Sequence, residues 1–326
     1  MAVVHGRRLG SARRIAGVFV NRVEDPLRAV PELDATGAPG LYRDPLVYDV
    51  LSTPGTAREV DGLERIVRLW VRSRGARRDW LEPGCGTGRY LRILARRGFR
   101  VTGFDHSIAM IEYAQRRAAA ARLFAGDFGT FASRCGRLRY DFAFNLFNSI
   151  RHLESDAAML AHFAGMARVL RPGGIYAVGL SFTDYGHEPM DEDIWEARRG
   201  GLHVRQVVQY LPPGTWPAAT RRTRRFERVV SHVTVERGAV VSHFDSTYDL
   251  RTYNALEWRR LVARSALGAI ATVTWNGARV ADRVMPYAIE LLGRRADAAL
   301  HSRPAGTQSR TARKPASEAK PKATRP

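Results

Sequence analysis

The stretch LEPGCGTG, residues 81–88, sets Gly84, Gly86 and Gly88 at alternate positions, with Glu82 just ahead of them and Asp105 at the end of the next apolar run. Alternating glycines let a backbone bend into conformations closed to other residues, and let a ligand approach it closely. A dinucleotide-binding fingerprint spaces its glycines differently, as G-x-G-x-x-G. A carboxylate at Glu82 would repel a pyrophosphate; it suits a cationic ligand that carries an ammonium group. Asp105 is placed to accept hydrogen bonds from both hydroxyls of a ribose, each worth about 1.5–3 kcal/mol to a charged acceptor.

The elements around these residues must bring them to one place. Trp80–Glu82 reads as a short strand, Gly88–Arg97 as a helix ended by Gly98, and Val101–Phe104 as a second strand. Ser107 caps a helix to about Arg117. Leu123–Ala125 and Phe142–Phe147 read as strands three and four, Ser155–Leu170 as a helix stopped by RPGG, and Ile175–Leu180 as strand five. Alternating strands and helices imply a parallel sheet covered on both faces, with ligands at the strand ends where the order reverses. Ahead of it, Leu63, Ile66, Val67 and Trp70 stand at helical spacing. After Ser181 the rhythm changes: HVRQVVQYL, RFERVVSHVTVER and VVSHFDSTYDL read as antiparallel strands, the last two joined by a turn at Gly238. A helix over Ala255–Ser265 and the strands IATVTW and MPYAIELL then return to the main sheet. The expected divisions are an arm at 1–38, a cofactor-binding core at 39–181, an inserted β subdomain at 182–249, the rest of the core at 250–301 and a basic tail at 302–326.

LEPGCGTG (81–88), GFD (103–105), GDF (126–128), FNLFNSIRHL (144–153) and LRPGG (170–174), in this order at successive strand ends, resemble the class I S-adenosylmethionine-dependent methyltransferases, in the branch with a β insertion before the last helix. The resemblance spans about residues 41–297. It implies a Rossmann-like doubly wound sheet, mostly parallel and seven-stranded, with helices on both faces and an inserted antiparallel β subdomain. It implies S-adenosylmethionine as cofactor, S-adenosylhomocysteine as product and no metal. Glu82 and the loop Gly84, Cys85, Gly86 and Gly88 would hold the methionine end. Asp105 would bind the ribose, with His106 beside the adenine. Asp127 would take the adenine amino group, with Phe128 against the ring. Asn145 would border the sulfonium, and Tyr48 would close over the cofactor. Pro83 departs from the family, which has a small apolar residue or Asp there.

Methyl transfer asks the protein mainly to position an acceptor, which is worth about 7–11 kcal/mol. His152, just past strand four, is the candidate base, and Arg151 the candidate clamp for an acidic acceptor. His203 and Tyr210 on the insert are candidates to line the acceptor pocket. The insert is expected to be the substrate lid. Its arginines, Arg198, Arg199, Arg205, Arg221, Arg222, Arg224, Arg225 and Arg228, favour an anionic acceptor.

The chain has 326 residues and a net charge of +20. All its lysines lie in the tail, and the remaining basic charge is arginine, which reads as a basic solvated surface before it reads as a nucleic-acid footprint. Two cysteines, Cys85 and Cys135, with no CxxC pair, exclude a disulfide scaffold and a cysteine zinc site. They fit a reducing, cytoplasmic setting. No apolar run approaches the ~18 residues of a membrane helix. The expected function is methyl transfer to a small molecule. The alternatives are an RNA or protein methyltransferase, disfavoured by the lack of an RNA-binding module and of an Asn-Pro-Pro-aromatic motif after strand four, and a non-catalytic protein that binds the cofactor.

Overall fold

The computed structural model describes residues 40–73, 78–216, 223–280 and 287–297. The arm expected at 1–38 and the tail expected at 302–326 lie outside the described residues, as do Arg221 and Arg222. In chain order the elements are α1 (Pro45–Ser52), α2 (Thr56–Trp70), β1 (Asp79–Pro83), α3 (Arg89–Arg96), β2 (Arg100–Asp105), α4 (Ile108–Arg117), β3 (Arg122–Ala125), α5 (Phe131–Cys135), β4 (Tyr140–Asn145), α6 (Asp156–Val169) and β5 (Leu170–Ser181). There follow β6 (Asp191–Arg199), β7 (Leu202–Leu211), β8 (Phe226–Arg237), β9 (Val240–Arg251), α7 (Ala255–Ala263), β10 (Leu267–Val273) and β11 (Tyr287–Arg294).

Seven strands form the main sheet in the order β10-β11-β5-β4-β1-β2-β3. Pairs among β1 to β5 are parallel, and β11 runs antiparallel to both β5 and β10. The order reverses between β1 and β4, so their C-terminal ends open onto a crevice. The glycine loop follows β1, and Asn145 ends β4.

Alternation along the strands explains why both faces are covered. Trp80 points to one side, where it packs on Phe99 (4.6 Å between ring centroids) and Phe142 (4.8 Å) among Leu63, Ile66 and Leu94 of α2 and α3. Its neighbour Leu81 points to the other side, into a cluster with Phe131, Phe163 and Trp258 of α5, α6 and α7. A strand buried on both faces reads as continuous apolar sequence. Burying each large side chain contributes about 1.5–3 kcal/mol. The doubly wound, mostly parallel fold read from the sequence is the one present.

Two elements were not foreseen. The small second sheet has four strands, β6-β7-β8-β9, where three were read. The sequence of β6, DEDIWEARR, is mostly charged, and only Ala197 is buried. It is an edge strand held by its ladder to β7, not by an apolar pattern of its own. The five-residue α5 is too short to show helical periodicity; the Asp127 side chain braces the turn that leads into it by accepting from the backbone of Gly129 (2.8 Å) and Thr130 (2.9 Å).

Helix α1 lies between the two sheets. Asp44 caps it, accepting from Leu46 (2.8 Å) and Val47 (3.2 Å), and Pro45 occupies its first turn, where no backbone donor is needed. Val47, Val50 and Leu51 pack against Ala197, Leu202, Val204, Val233 and Val235 of the small sheet. The opposite side of α1 faces the glycine loop. No helix among the described residues is long and apolar enough to cross a membrane.

His162 of α6 is fully buried. Its Nδ1 lies 2.9 Å from the Phe128 carbonyl oxygen and its Nε2 3.0 Å from the Tyr176 hydroxyl. A carbonyl only accepts, so Nδ1 carries the proton and Nε2 accepts from Tyr176. Burial lowers the pKa from 6.5 to about 4. The folded state therefore binds fewer protons than the unfolded state between those values, and stability falls as pH falls through that window. The full loss attributable to His162 is about 3 kcal/mol. Urea unfolding across the window should show it, and the His162→Gln variant should lose that part of the slope. An unchanged slope in the variant would assign the effect to other groups.

Candidate functional site

Three residues in the left-handed region shape the loop after β1: Gly84 (φ +65°), Gly86 (φ +50°) and Gly88 (φ +70°). All three also leave no room for a side chain without a shift, Gly88 because its Cβ would stand 3.3 Å from that of Ala114. A Cβ on Gly84 would stand 3.2 Å from the Phe128 ring, and one on Gly86 3.3 Å from the Tyr48 ring. The loop thus runs between two aromatic rings. Cys85 between them is buried, hydrogen-bonded through its backbone to Phe104 (2.9 Å). Gly103 of β2 is explained by the same crowding, since its Cβ would press on Leu91 and on Cys85. Burial pushes the Cys85 thiol pKa well up, so it is packing and no nucleophile.

The carboxylates divide the work. Asp105 accepts from the Gly86 amide (2.9 Å) with one oxygen and from the Ser107 amide (2.9 Å) with the other. Each oxygen keeps a lone pair for a further donor. His106 is exposed, its Nδ1 3.5 Å from Asp105. Glu82 is 6% exposed, and its Oε2 is buried with no hydrogen-bond partner. Burial raises its pKa well above the usual carboxylate value, although Arg89 pulls the other way. Asn145, beside it across the β1–β4 pairing, donates to the Pro83 carbonyl (2.8 Å), while its Oδ1 is likewise buried without a partner. Orphaned acceptors at the ends of the two adjacent strands fit a ligand that brings hydrogen-bond donors, as an ammonium group does.

Asp127, expected to reach the adenine amino group, is exposed and also braces the turn before α5: beyond the two amides, the Thr130 hydroxyl donates to Oδ2 (2.5 Å), which keeps a lone pair for a further donor. That hydroxyl and the Gly129 and Thr130 amides lower its pKa. Phe128, expected against the adenine ring, has its own ring against the loop at Gly84, and its carbonyl accepts from His162.

Beyond β4 the chain turns through two consecutive left-handed residues, Phe147 (φ +53°) and Asn148 (φ +63°). Such positions cost of order 1–3 kcal/mol each and persist when surroundings enforce them. Here the Asn148 Oδ1 accepts from the Ser181 amide (2.7 Å), its Nδ2 donates to the Ser181 hydroxyl (3.2 Å), and the Phe147 amide donates to the Tyr287 hydroxyl (3.0 Å). The turn aims the short 3₁₀ segment Ser149–His152 at the crevice.

His152 lies among aromatic rings. It stacks on Tyr248 of β9 (centroids 5.6 Å apart, planes at 24°) and meets Tyr42 edge-on (6.2 Å). Tyr42 in turn lies 5.5 Å from Tyr48 and 6.1 Å from Tyr248. The His152 side chain is exposed to solvent, with the Tyr248 and Tyr42 rings enclosing part of it. That enclosure, with the nearby His106 and Arg151, lowers its pKa to about 4. Burial likewise raises the Tyr48 hydroxyl, and that of Tyr248 to about 12; Tyr42 is raised chiefly by its neighbour Tyr248. At neutral pH the cleft wall is therefore uncharged. Sequence reasoning missed Tyr42 and Tyr248, which come from opposite ends of the fold; only the alternation of Phe244, Tyr248 and Leu250 on one strand face hinted at the second.

Arg151 does not enter the cleft. It is 2% exposed, donating to Glu227 (2.9 Å) and to the Arg251 carbonyl (2.8 Å), and so ties the His152 segment to the small sheet. His203 faces away, bound to Glu196 and Glu236. Tyr210 lies on the other strand face, in a cluster with Tyr248. The arginines expected to attract an anion are otherwise engaged: Arg199 with Asp49, Arg225 with Glu257, and Arg228 with Asp249 and the Trp216 ring. Arg198, Arg205 and Arg224 are exposed at the outer surface. A separate surface hollow of about 530 Å³, lined by Asp156, Arg225, Tyr253, Glu257, Arg260 and Arg264, includes none of the loop residues, and its charges largely neutralise each other.

A family model described as a methyltransferase domain matches residues 81–174, from the glycine loop to the turn at Gly174. Residues 81–174 are a methyltransferase domain of the class I S-adenosylmethionine-dependent kind, and the chain is a methyltransferase. Among curated proteins it is similar to YqeM of Bacillus subtilis, named for a methyltransferase, at 24% identity over 56% of this chain and 70% of that one. It is also similar to the malonyl-[acyl-carrier protein] O-methyltransferase of Serratia marcescens, at 29% identity over 43% of this chain, a match that spans about half (52%) of that relative. The fold matches DesVI of Streptomyces venezuelae with a TM-score of 0.59 at 22% identity, covering 76% of this chain and 97% of that one. It also matches an amino pentose methyltransferase of Micromonospora echinaspora, with a TM-score of 0.57 at 23% identity, covering 76% and 96%.

The buried Glu82 gives a measurable signature. In the free protein its raised pKa favours the protonated form; an ammonium group alongside favours the carboxylate. Binding of S-adenosylmethionine should then release protons at pH values between the bound-state and the free-state pKa, and few above the latter. Calorimetry in two buffers of different ionisation enthalpy reads this number, and Glu82→Gln should abolish it. An equal release from the variant would show that Glu82 does not meet the ligand's charge.

Proposed function

We propose that this methyltransferase acts on a small-molecule acceptor bound in the cleft between the glycine loop and the small sheet. The observation that carries the reading is the ring cluster Tyr42, Tyr48, His152 and Tyr248, which closes the crevice from the side of α1, β9 and the turn after β4. Walls of this kind, uncharged and contributed by separate elements, enclose a narrow group and exclude water. Acceptors named for its relatives, a malonyl group on a carrier protein and an amino pentose, agree with a small reacting group.

S-adenosylmethionine brings a methyl group on a positively charged sulfur, so no leaving group needs activation. The orphaned oxygens of Glu82 and Asn145 are suited to its ammonium end, and the spare lone pairs of Asp105 to its ribose hydroxyls. Tyr48 and Phe128 bound the loop from either side, and His106 stands next to Asp105. Asp127 braces the turn before α5, and its exposed Oδ2 is left for the adenine amino group.

His152, neutral at physiological pH, accepts a hydrogen bond from the acceptor and orients its nucleophilic atom. With a pKa near 4 it is a weak base, and its service is orientation more than proton removal. Arg151 positions His152 through Glu227. The small sheet, residues within 182–249, acts as the lid, and the described arginines give it no anion-collecting face toward the cleft.

Purified protein, methyl-labelled S-adenosylmethionine and a cell extract test the substrate class, with Asp105→Ala as the control. Label is expected to pass a small-pore filter and to be absent with the control. Label held back and released by ribonuclease or protease would replace this reading with an RNA or protein acceptor. With the acceptor in hand, His152→Gln should lower kcat about 10²-fold and leave cofactor affinity unchanged. A matching loss of cofactor affinity would move His152 out of the acceptor site.

A further inference from the structure

Asp49 of α1 is 0% exposed and is the most heavily engaged carboxylate near the site. Its Oδ1 accepts from Arg92 of α3 (2.8 Å) and from the hydroxyl of Thr87 (2.9 Å). Its Oδ2 accepts from Arg199 of β6 (2.6 Å) and from the hydroxyl of Tyr113 in α4 (3.1 Å), with Arg117 a little further off at 3.6 Å. Arg199 reaches on to the Asp49 carbonyl (2.9 Å) and to the Thr53 hydroxyl (3.1 Å). Burial alone would raise the Asp49 pKa; the hydrogen bonds from Arg92 and Arg199 outweigh it and hold the group below the ordinary carboxylate value.

The partners are not a random set. Thr87 sits inside the glycine loop, between Gly86 and Gly88. Tyr48, the residue before Asp49, is the ring that limits the space at Gly86. Arg199 belongs to the small sheet, far along the chain from either. One carboxylate therefore pins the loop, the ring over the loop and the edge strand of the lid. A buried charge with several donors is a costly way to hold a helix, since losing one partner leaves the rest uncompensated. The same property makes it an all-or-none coupling point.

We propose that Asp49 is a positioning residue that joins the cofactor loop to the lid, so that the seat of the small sheet sets cofactor affinity through Arg199, Asp49 and Thr87. The idea rests on the glycine loop being the cofactor site. It makes the coupling reciprocal: whatever fixes the lid tightens the loop, and cofactor on the loop steadies the lid.

The test uses the full chain and S-adenosylhomocysteine as the probe, by calorimetry. Arg199→Ala changes only the lid strand, yet is expected to weaken binding about ten-fold. Asp49→Asn and Thr87→Val should weaken it similarly, and the Asp49→Asn/Arg199→Ala double variant should be no worse than Asp49→Asn alone. Arg199→Lys, which keeps the charge, should recover part of the loss. Thermal melts accompany each variant. If Asp49→Asn does not fold, Arg199→Ala with Thr87→Val forms the cycle instead, and their losses should again fail to add. Folded variants that bind as wild type, or losses that add fully, would overturn the coupling. Asp105→Ala separates the premises: binding unchanged there would remove the cofactor reading itself, whereas binding lost there with Arg199→Ala unaffected would remove only the role of Asp49.

Discussion

The backbone from Gly84 to Gly88 passes so close to the rings of Tyr48 and Phe128 that a Cβ on Gly84 or Gly86 would force a shift, and the rest of the site is arranged around that passage. A chain squeezed in this way exposes its amides and no side chains to a ligand. It needs external support, because three left-handed residues in five carry little preference of their own. The support comes from the Asp105 carboxylate on the Gly86 amide, from Asp49 on Thr87, and from His162 behind Phe128.

Charge is handled by placement. The chain is strongly basic, but the arginines nearest the site are used as forks that satisfy buried carboxylates: Arg92 and Arg199 on Asp49, Arg151 on Glu227. A guanidinium offers several fixed donors and stays charged when buried, so it suits such joints better than lysine. The cleft itself is left neutral, lined by tyrosines with raised hydroxyl pKa values and a histidine with a lowered one. Glu82 is the exception, a carboxyl with an unanswered oxygen at the place where a cationic ligand would supply the partner.

The small sheet contributes in two ways. Its inner face packs on α1 and so holds Tyr48 and Asp49 toward the loop. Its last strand delivers Tyr248 to His152. The joints at Arg199 and Arg151 stand at two places along the sheet, and each ties it to a segment that reaches the crevice.

Period and punctuation in the sequence were enough for the architecture. Strands such as DWLEP and YDFAFN are apolar on both faces, and capping residues such as Ser107 and Ser155 mark helix starts by local hydrogen bonding. The glycine spacing with Glu82 and Asp105 pointed to a cationic, ribose-bearing cofactor because those constraints act within one strand–loop–strand unit. Partnerships between distant segments were beyond its reach. Asp127, read as a ligand, also braces the turn before α5; Arg151, read as a clamp, is buried against Glu227. The hub at Asp49 and the meeting of Tyr42, His152 and Tyr248 in one cluster could not be read from local pattern, since their members come from segments far apart in the chain. Local propensity is written in neighbouring residues, whereas the pairing of a buried charge or ring depends on which surfaces the folded sheets bring together.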